Sequence, residues 1–207
     1  MALQVSVITQ ASRYIPEPMA KIYTRKGDDG TTSLWYGGRI PKDDPHTEAY
    51  GALDEATSAL GAARAICSDD RLSADILRLQ NELFVAGAEL ASSPEARDRL
   101  EAGVTRLDDG MVGWLEERID AYMAEVDLPP KFVIPGGTEL SARLDVARST
   151  LRRAERRIVA LRRGGAIPDS AAPRFVNRAS DLLFAMARYA DEPEPELFEG
   201  RGAGKAP

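Results

Sequence analysis

The sequence predicts an all-α protein built as a bundle of five helices. Apolar residues recur every three or four positions in five separate stretches, which is the period of one face of an α-helix. Clusters of proline and glycine separate these stretches, and the short connections favour antiparallel neighbours. With 207 residues, 43% of them hydrophobic, the chain is long enough for one core and needs no second domain.

Each helix is predicted from its own apolar stripe. The first begins near Thr47, the second covers 72–90, and the third, 111–126, has a looser pattern. The fourth, 144–161, shows the clearest heptad, and the fifth covers 175–189. The helix-stopping clusters between them are Ser92-Ser93-Pro94, Leu128-Pro129-Pro130, Pro135-Gly136-Gly137 and Gly164-Gly165 with Pro168.

Composition divides the chain into three parts. Residues 1–20 have no periodicity and are expected to be an irregular leader, followed by the helical domain at 21–191. Residues 192–207 are rich in Pro, Glu and Gly and are expected to form a mobile tail.

Charge and composition exclude several classes of function. A net charge of -6 and a pI near 5.0 argue against a nucleic-acid binder, so any anion site must be local. No stretch approaches the roughly 20 apolar residues of a membrane-spanning helix. The single Cys67 and the lack of a signal sequence favour the cytoplasm, and the single His46 excludes a His-centred triad or a zinc site.

A polar, glycine-rich stretch at 24–32 is the first candidate site. Its glycines let backbone N–H groups converge, and its hydroxyl and basic side chains add donors and charge, as a polyphosphate site requires. A plain hairpin turn at Asp28-Asp29-Gly30 is the alternative. The spacing is not that of a Walker loop or a calcium loop. The candidate phosphate-binding residues are Thr24, Arg25, Lys26, Gly27, Asp28, Gly30, Thr31 and Thr32.

The second candidate is the arginine-rich part of the fourth helix. Arg148, Arg152 and Glu155 are spaced i, i+4 and i+7, which puts them on one line beside the apolar stripe. Stacked arginines repel unless an anion or a carboxylate joins them. A solvated basic face is the alternative, and it stays open for neighbours such as Arg153, Arg156 and Arg157.

Three single residues allow two interpretations each. Asp54 flanks the core of the first helix and could pair with an arginine or face water. Asn177 could contact a ligand or cap the last helix, and Phe132 could contact a ligand or anchor the core.

The segments KIYTRKGDDGTT, RIPKDD, YGALDE, FVIPGGT, ARSTLRRAER and NRASDLLF resemble, in that order, the ATP:cob(I)alamin adenosyltransferases of the PduO type. The resemblance runs from about Lys21 to Tyr189. It implies a five-helix bundle of the cobalamin adenosyltransferase type, related to ferritin-like bundles. It also implies a homotrimer with an ATP site between subunits, and attack by Co(I) on the 5′ carbon of ATP with Mg²⁺ required.

The resemblance also implies roles for the matching residues. Thr24, Arg25, Lys26 and Gly27 correspond to phosphate contacts, together with Lys42, Arg152, Arg153 and Arg156. Asn177 corresponds to the adenosine contact, Glu155 lies near the metal, and Asp54 with Arg148 corresponds to a salt bridge between subunits. Phe132, aided by Phe198, closes the lower face of the corrin. A flavin-dependent reductase and an adenosylcobalamin-dependent enzyme are the implied protein partners.

Two rival classes stay open. A helical nucleotide- or RNA-binding module would use the arginines against phosphates, but the acidic balance disfavours RNA. An unrelated ATP-dependent kinase would need a base, for which Asp28 or Asp54 would have to serve.

Overall fold

The structure, a computed structural model, describes residues 23–128, 130–167, 169–191 and 195–199. It confirms the five-helix bundle predicted from the sequence. The helices are α1 (Pro45–Arg64), α2 (Asp70–Leu90), α3 (Asp109–Met123), α4 (Glu139–Arg163) and α5 (Ala172–Tyr189). A two-stranded antiparallel sheet, β1 (Thr31–Ser33) and β2 (Arg39–Pro41), precedes them, and a short 3-10 helix, Pro94–Arg99, follows α2.

The helices pack in the spatial order α2, α1, α4, α5, α3. The α1–α4 and α4–α5 contacts are the most extensive, so α4 lies at the centre of the array. Its buried face is the predicted heptad, in which Leu144, Leu151 and Ile158 are fully buried. None of the helices in the described part of the chain is long and apolar enough to cross a membrane.

Local capping explains where the helices begin. Asp44, Asp69 and Asp108 each accept a backbone N–H from the first turn of α1, α2 and α3. Thr138 and Ser141 form a reciprocal capping box at α4. Pro45 occupies the first position of α1, where its missing N–H costs no hydrogen bond.

Polar side chains link α3 back to α2, the two helices at the ends of the spatial order, along a boundary called the α2–α3 seam below. Asp75, Glu82 and Glu89 recur every seven residues on α2, and all three are buried. The hydroxyl of Tyr122 donates to Asp75 Oδ2 at 2.8 Å, and Arg78 Nε donates to Glu82 Oε1 at 3.0 Å. Burial raises the pKa of Glu82, because the low-dielectric interior disfavours the charged form.

Several sequence-based boundaries need correction. The apolar stripe that begins near Thr47 continues at helical spacing to Cys67 and predicts a helix of that length, but α1 ends at Arg64 because the backbone turns there. Cys67 is only partly buried and packs against the core. Val126 lies beyond α3, which ends at Met123.

Asn177 does not cap α5. The helix begins five residues earlier, at Ala172, so Asn177 is an interior residue whose side chain points away from the first turn. The leader at 1–20 lies outside the described residues, and of the tail only 195–199 is described. The division into three parts therefore stays a prediction.

Candidate functional site

The stretch at 24–32, called the phosphate turn below, combines two tight turns with the start of a strand. Asp28 N–H donates to the Arg25 carbonyl, and Gly30 N–H donates to the Gly27 carbonyl, both at 3.3 Å. Arg25 has a φ of 61° and Gly30 a φ of 81°, so two residues adopt the left-handed conformation in this short segment. The segment is a loop that leads into a hairpin in which Thr31 and Thr32 belong to β1, as the turn interpretation predicts, and its role in binding phosphate stays a prediction.

Lys42 folds over this turn. Its backbone N–H donates to the Gly30 carbonyl at 2.9 Å. Its Nζ lies so close to Gly27 that a Cβ added at that glycine would be 3.2 Å from it. A glycine at this position therefore lets the ammonium group of Lys42 lie directly against the backbone of the turn. The hairpin brings Lys42 close to Gly27, although the two are distant in sequence.

Arg39 holds the turn together and was missed from the sequence. Its guanidinium donates to the Lys26 carbonyl and the Thr31 hydroxyl, and it pairs with Asp29 at 3.1 Å. The Thr31 hydroxyl and amide both donate to Asp29, which lowers the pKa of that carboxyl. Only the hairpin register, Ser33 opposite Arg39, brings these groups together, so no local motif could have indicated this role.

The arginines of α4 divide between its two flanks. Arg153 pairs with Glu55 and Arg157 with Glu48, both on α1. Arg152 lies on the α5 side, 3.9 Å from Glu155, and Arg156 donates to the Arg152 carbonyl at 3.0 Å. The structure therefore places Arg153 with a carboxylate and apart from Arg152, although the resemblance groups the two as phosphate contacts.

Glu155 joins α4 to Asn177 on α5. Asn177 Nδ2 donates to Glu155 Oε1 at 3.1 Å, and Arg178 donates to Asn177 Oδ1 at 3.0 Å. Arg178 is itself paired with Glu116 on α3 at 3.0 Å. The amide of Asn177 is thus oriented from both sides, and Arg178 is a second residue that the sequence reading did not single out.

Arg148 pairs within its own chain. Its Nε donates to Asp145 Oδ1 at 2.9 Å, which leaves the terminal nitrogens available to other partners. Asp54 is exposed and lines an apolar cleft of about 730 Å³ between α1 and α2. Arg148 and Arg152 line a different cleft, of about 340 Å³, formed by α3, α4 and α5. One chain therefore does not bring Asp54 to Arg148.

The backbones of Phe132 and Phe198 pair with each other near the start of α4. Residues 132–134 and 196–198 form a short antiparallel ladder, in which Phe198 N–H donates to the Phe132 carbonyl at 2.8 Å. Because Val133 opposes Leu197, Phe132 opposes Phe198 on the same face. Both rings are exposed, with 81% and 56% of the residue surface accessible, so neither is a core anchor.

The described residues leave two groups of charges apart. No hydrogen bond or ion pair in that part of the chain joins the phosphate turn to Arg148, Arg152 or Asn177. Within the same residues, no cluster of three or more His, Cys, Asp or Glu side chains could hold a metal ion. Among the residues that the structure describes, Glu155 is the one carboxylate in contact with both Arg152 and Asn177.

A five-helix bundle with a glycine-rich turn and a row of arginines defines a helical protein with two groups of donors suited to an anion. The chain belongs to the cobalamin adenosyltransferase family, whose model matches residues 22–190. The corrinoid adenosyltransferase of Citrobacter freundii is 44% identical over 86% of this chain and 99% of its own. That of Bacillus subtilis is 42% identical over 83% of this chain and 86% of its own.

Solved structures agree with these relatives. A variant of the PduO-type ATP:corrinoid adenosyltransferase from Lactobacillus reuteri, complexed with cobalamin and ATP, superposes with a TM-score of 0.76. It is 35% identical and covers 86% of this chain and 97% of that chain. The predicted fold, family and enzyme class are confirmed.

Proposed function

We propose that the enzyme transfers the 5′-deoxyadenosyl group of ATP to Co(I) of a corrinoid at a site shared by two neighbouring subunits of a homotrimer. Co(I) attacks the 5′ carbon, a Co–C bond forms, and the C–O bond to the triphosphate breaks, so the electron pair leaves with the triphosphate. The observation that carries the shared site is the separation of the phosphate turn from the arginines of α4 within one chain.

The reaction needs positioning and charge rather than a base, because Co(I) is itself the nucleophile. Negative charge develops on the leaving oxygen, and fixed cationic donors stabilise that charge most in a site that excludes water. Arg152 and Arg156 present such donors on α4, and Lys42 and the backbone of the phosphate turn present others. Asn177 is assigned to adenosine, since its amide is held in one orientation.

Mg²⁺ would be held by the polyphosphate together with a carboxylate of the protein, and it would supply positive charge against the negative charge of the leaving group. A metal shared with a polyphosphate typically takes only one or two protein carboxylates. Glu155 fits that requirement, because it lies beside Arg152 and Asn177 and is partly buried. We assign Glu155 as the protein group nearest the metal.

Two different faces of the chain support assembly into a closed ring. The face around Asp54 carries exposed Trp35 and Phe84, which a monomer would leave in water. The other face carries Arg148 and Arg152 beside Phe184. Because the two faces differ, a contact between them would be heterologous, and a threefold rotation would close such contacts into a trimer. Asp54 of one subunit would then pair with the free nitrogens of Arg148 in the next.

The pair of exposed aromatic rings is assigned to the corrin. An apolar wall formed by Phe132 and Phe198 would exclude water and the lower ligand from cobalt, which makes Co(II) easier to reduce. The high exposure of both rings supports this assignment, since large apolar side chains on a surface mark binding sites more often than chance.

A direct assay tests the reaction. Protein, MgATP and chemically reduced cobalamin are incubated, and the spectral change to the adenosylated corrinoid is followed together with the nucleotide products. We expect adenosylcobalamin and triphosphate in equal amounts. Release of ADP without adenosylation would instead identify a kinase and contradict the proposal.

A complementation assay tests the shared site. Lys26→Ala disables the phosphate turn, and Arg152→Ala disables the α4 arginines. The two variants are unfolded and refolded together in equal amounts. With random assortment three trimers in four are mixed, each with one intact site, so activity should recover to about a quarter of the parent. A mixed trimer without recovery would exclude the shared site and leave the enzyme class unaffected.

The remaining biological context stays a prediction. A flavin-dependent reductase would supply the electron for Co(I), and an adenosylcobalamin-dependent enzyme would use the product. The cytoplasmic location expected from the sequence also stays a prediction.

A further inference from the structure

A buried cluster of charges lies where α4 begins and α5 ends. Arg188 donates to Asp145 Oδ2 at 2.6 Å, and its Nε lies 3.3 Å from Asp191 Oδ2, an ion pair rather than an aligned hydrogen bond. The three side chains are 2%, 5% and 2% exposed for Arg188, Asp145 and Asp191. One arginine and two carboxylates leave one negative charge, which Arg148 balances from the rim at 2.9 Å from Asp145.

Asp191 connects this cluster to both strands of the aromatic ladder. In the ladder, 196–198 begins five residues after Asp191, and 132–134 ends three residues before Gly137. Gly137 packs so closely on Asp191 that an added Cβ would lie 2.0 Å from Asp191 Oδ1. The Ser141 hydroxyl lies 3.1 Å from the same oxygen, and the Thr138 hydroxyl donates to the Ala190 carbonyl at 2.8 Å.

We propose that Arg188, through Asp145 and Asp191, is a positioning residue that anchors both strands of the ladder and thereby fixes the paired backbone that carries Phe132 and Phe198. The ladder itself is short. Its two backbone bonds are Ile134 N–H to the Glu196 carbonyl at 2.7 Å and Phe198 N–H to the Phe132 carbonyl at 2.8 Å. Isolated two-stranded pairs of this size are marginal in water, so the anchor at their base determines how long the pair stays closed.

The effect on cobalt rests on the proposed function, but the anchoring does not. Arg148 also bonds to Asp145 of this cluster, and the proposed function places Arg148 at the contact with the neighbouring subunit. The same buried charges therefore hold both Arg148 and the aromatic ladder. The anchor therefore ties the geometry of the corrin wall to the geometry of α4.

Two folded variants, Asp191→Asn and Gly137→Ala, disturb the anchor in different ways, and a third, Arg188→Met, shows what removing its centre does to the fold. Arg188→Met would leave two buried carboxylates facing each other and is expected to unfold this end of the bundle. Asp191→Asn is isosteric, and Gly137→Ala keeps every charge but inserts a methyl group against Asp191. Two substitutions are the matched controls. Glu139→Gln removes a carboxylate from an exposed ion pair with Arg143 on α4, and Gly113→Ala adds a Cβ that meets nothing within 4 Å.

Hydrogen exchange by mass spectrometry reads the anchor without any activity. We expect exchange in 131–134 and 195–199 to rise about tenfold in Asp191→Asn and Gly137→Ala, with α1 unchanged, and to stay at the parent level in both controls. Parent-like exchange of the ladder in both folded variants would overturn the proposal.

Electron paramagnetic resonance of the complex with cob(II)alamin and ATP then tests the effect on cobalt separately from the anchoring of the ladder. The fraction of four-coordinate Co(II) should fall by about threefold or more in both variants, while the KM for ATP stays within about twofold of the parent. Faster exchange with an unchanged four-coordinate fraction would support the anchor and overturn the role assigned to the aromatic wall.

Discussion

Phe132→Ala should remove function while leaving the fold almost unchanged. Phe132 is 81% exposed, so only about a fifth of a ring surface of roughly 200 Å² is buried in the subunit. That is about 40 Å², or ~1 kcal/mol of lost burial. For a chain of this length the melting temperature should fall by roughly 2–4 °C. ATP binding should be nearly normal, and adenosylation should fall most when the reaction starts from cob(II)alamin and a weak reductant.

Phe175→Ala is the matched control, because the same side chain is fully buried there. Truncating a buried phenylalanine costs about 3–5 kcal/mol, so this variant should melt roughly 10 °C or more below the parent. Circular dichroism melts of both variants are compared with the four-coordinate Co(II) signal of the Phe132 variant. If that signal equals the parent's, or if the two variants lose the same stability, the reasoning about an exposed corrin wall is refuted.

Three further predictions follow from the site and the α2–α3 seam. Arg152→Ala should lower the rate of adenosylation about 10²-fold with unchanged helical circular dichroism, and Arg152→Lys should restore little of it because lysine lacks the planar guanidinium. A rate near the parent's for the lysine variant would exclude a bidentate phosphate contact. Asp54→Asn should weaken the trimer, measured by sedimentation, without lowering the melting temperature of the subunit; an unchanged trimer would exclude the Asp54–Arg148 pair. Burial raises the pKa of Glu82 above the ordinary value of 4.5 for a glutamate, so the parent loses stability as pH rises from 4.5 through the raised pKa, and Glu82→Gln should gain stability relative to it over that range. A difference in melting temperature that does not depend on pH would contradict this.

The helices were predictable because each has enough turns for its period to show. α4 has 25 residues, and its buried positions repeat at helical spacing without interruption. The strands were not predictable in the same way, because β1 and β2 have three residues each and show no alternation. Asp28-Asp29-Gly30 indicated a turn there, and the structure adds the pairing that follows it.

The candidate site was predictable only where it is local. The spacing of Arg148, Arg152 and Glu155 fixed their common line on α4 before any contact was known. Arg39 and Arg188 act through partners far away in sequence or through burial, and a charge in a sequence does not reveal whether it is buried. The pairing of Phe198 with Phe132 joins positions far apart along the chain, and the composition of the tail indicated only mobility.

The partners of the α4 arginines indicate where an anion is required. Ion pairs with carboxylates already balance the charges of Arg143, Arg153 and Arg157. Arg148 donates its Nε–H to Asp145. Arg152 has only a distant contact with Glu155, and Arg156 bonds only a backbone carbonyl among the described residues. Adjacent cations without full compensation repel each other, and a polyphosphate removes that repulsion. Among the arginines from Arg143 to Arg157, Arg152 and Arg156 are therefore the pair that the leaving triphosphate would stabilise most, and they lie on the same side as Asn177. Arg162 and Arg163 lie apart from them, in the last turn of α4.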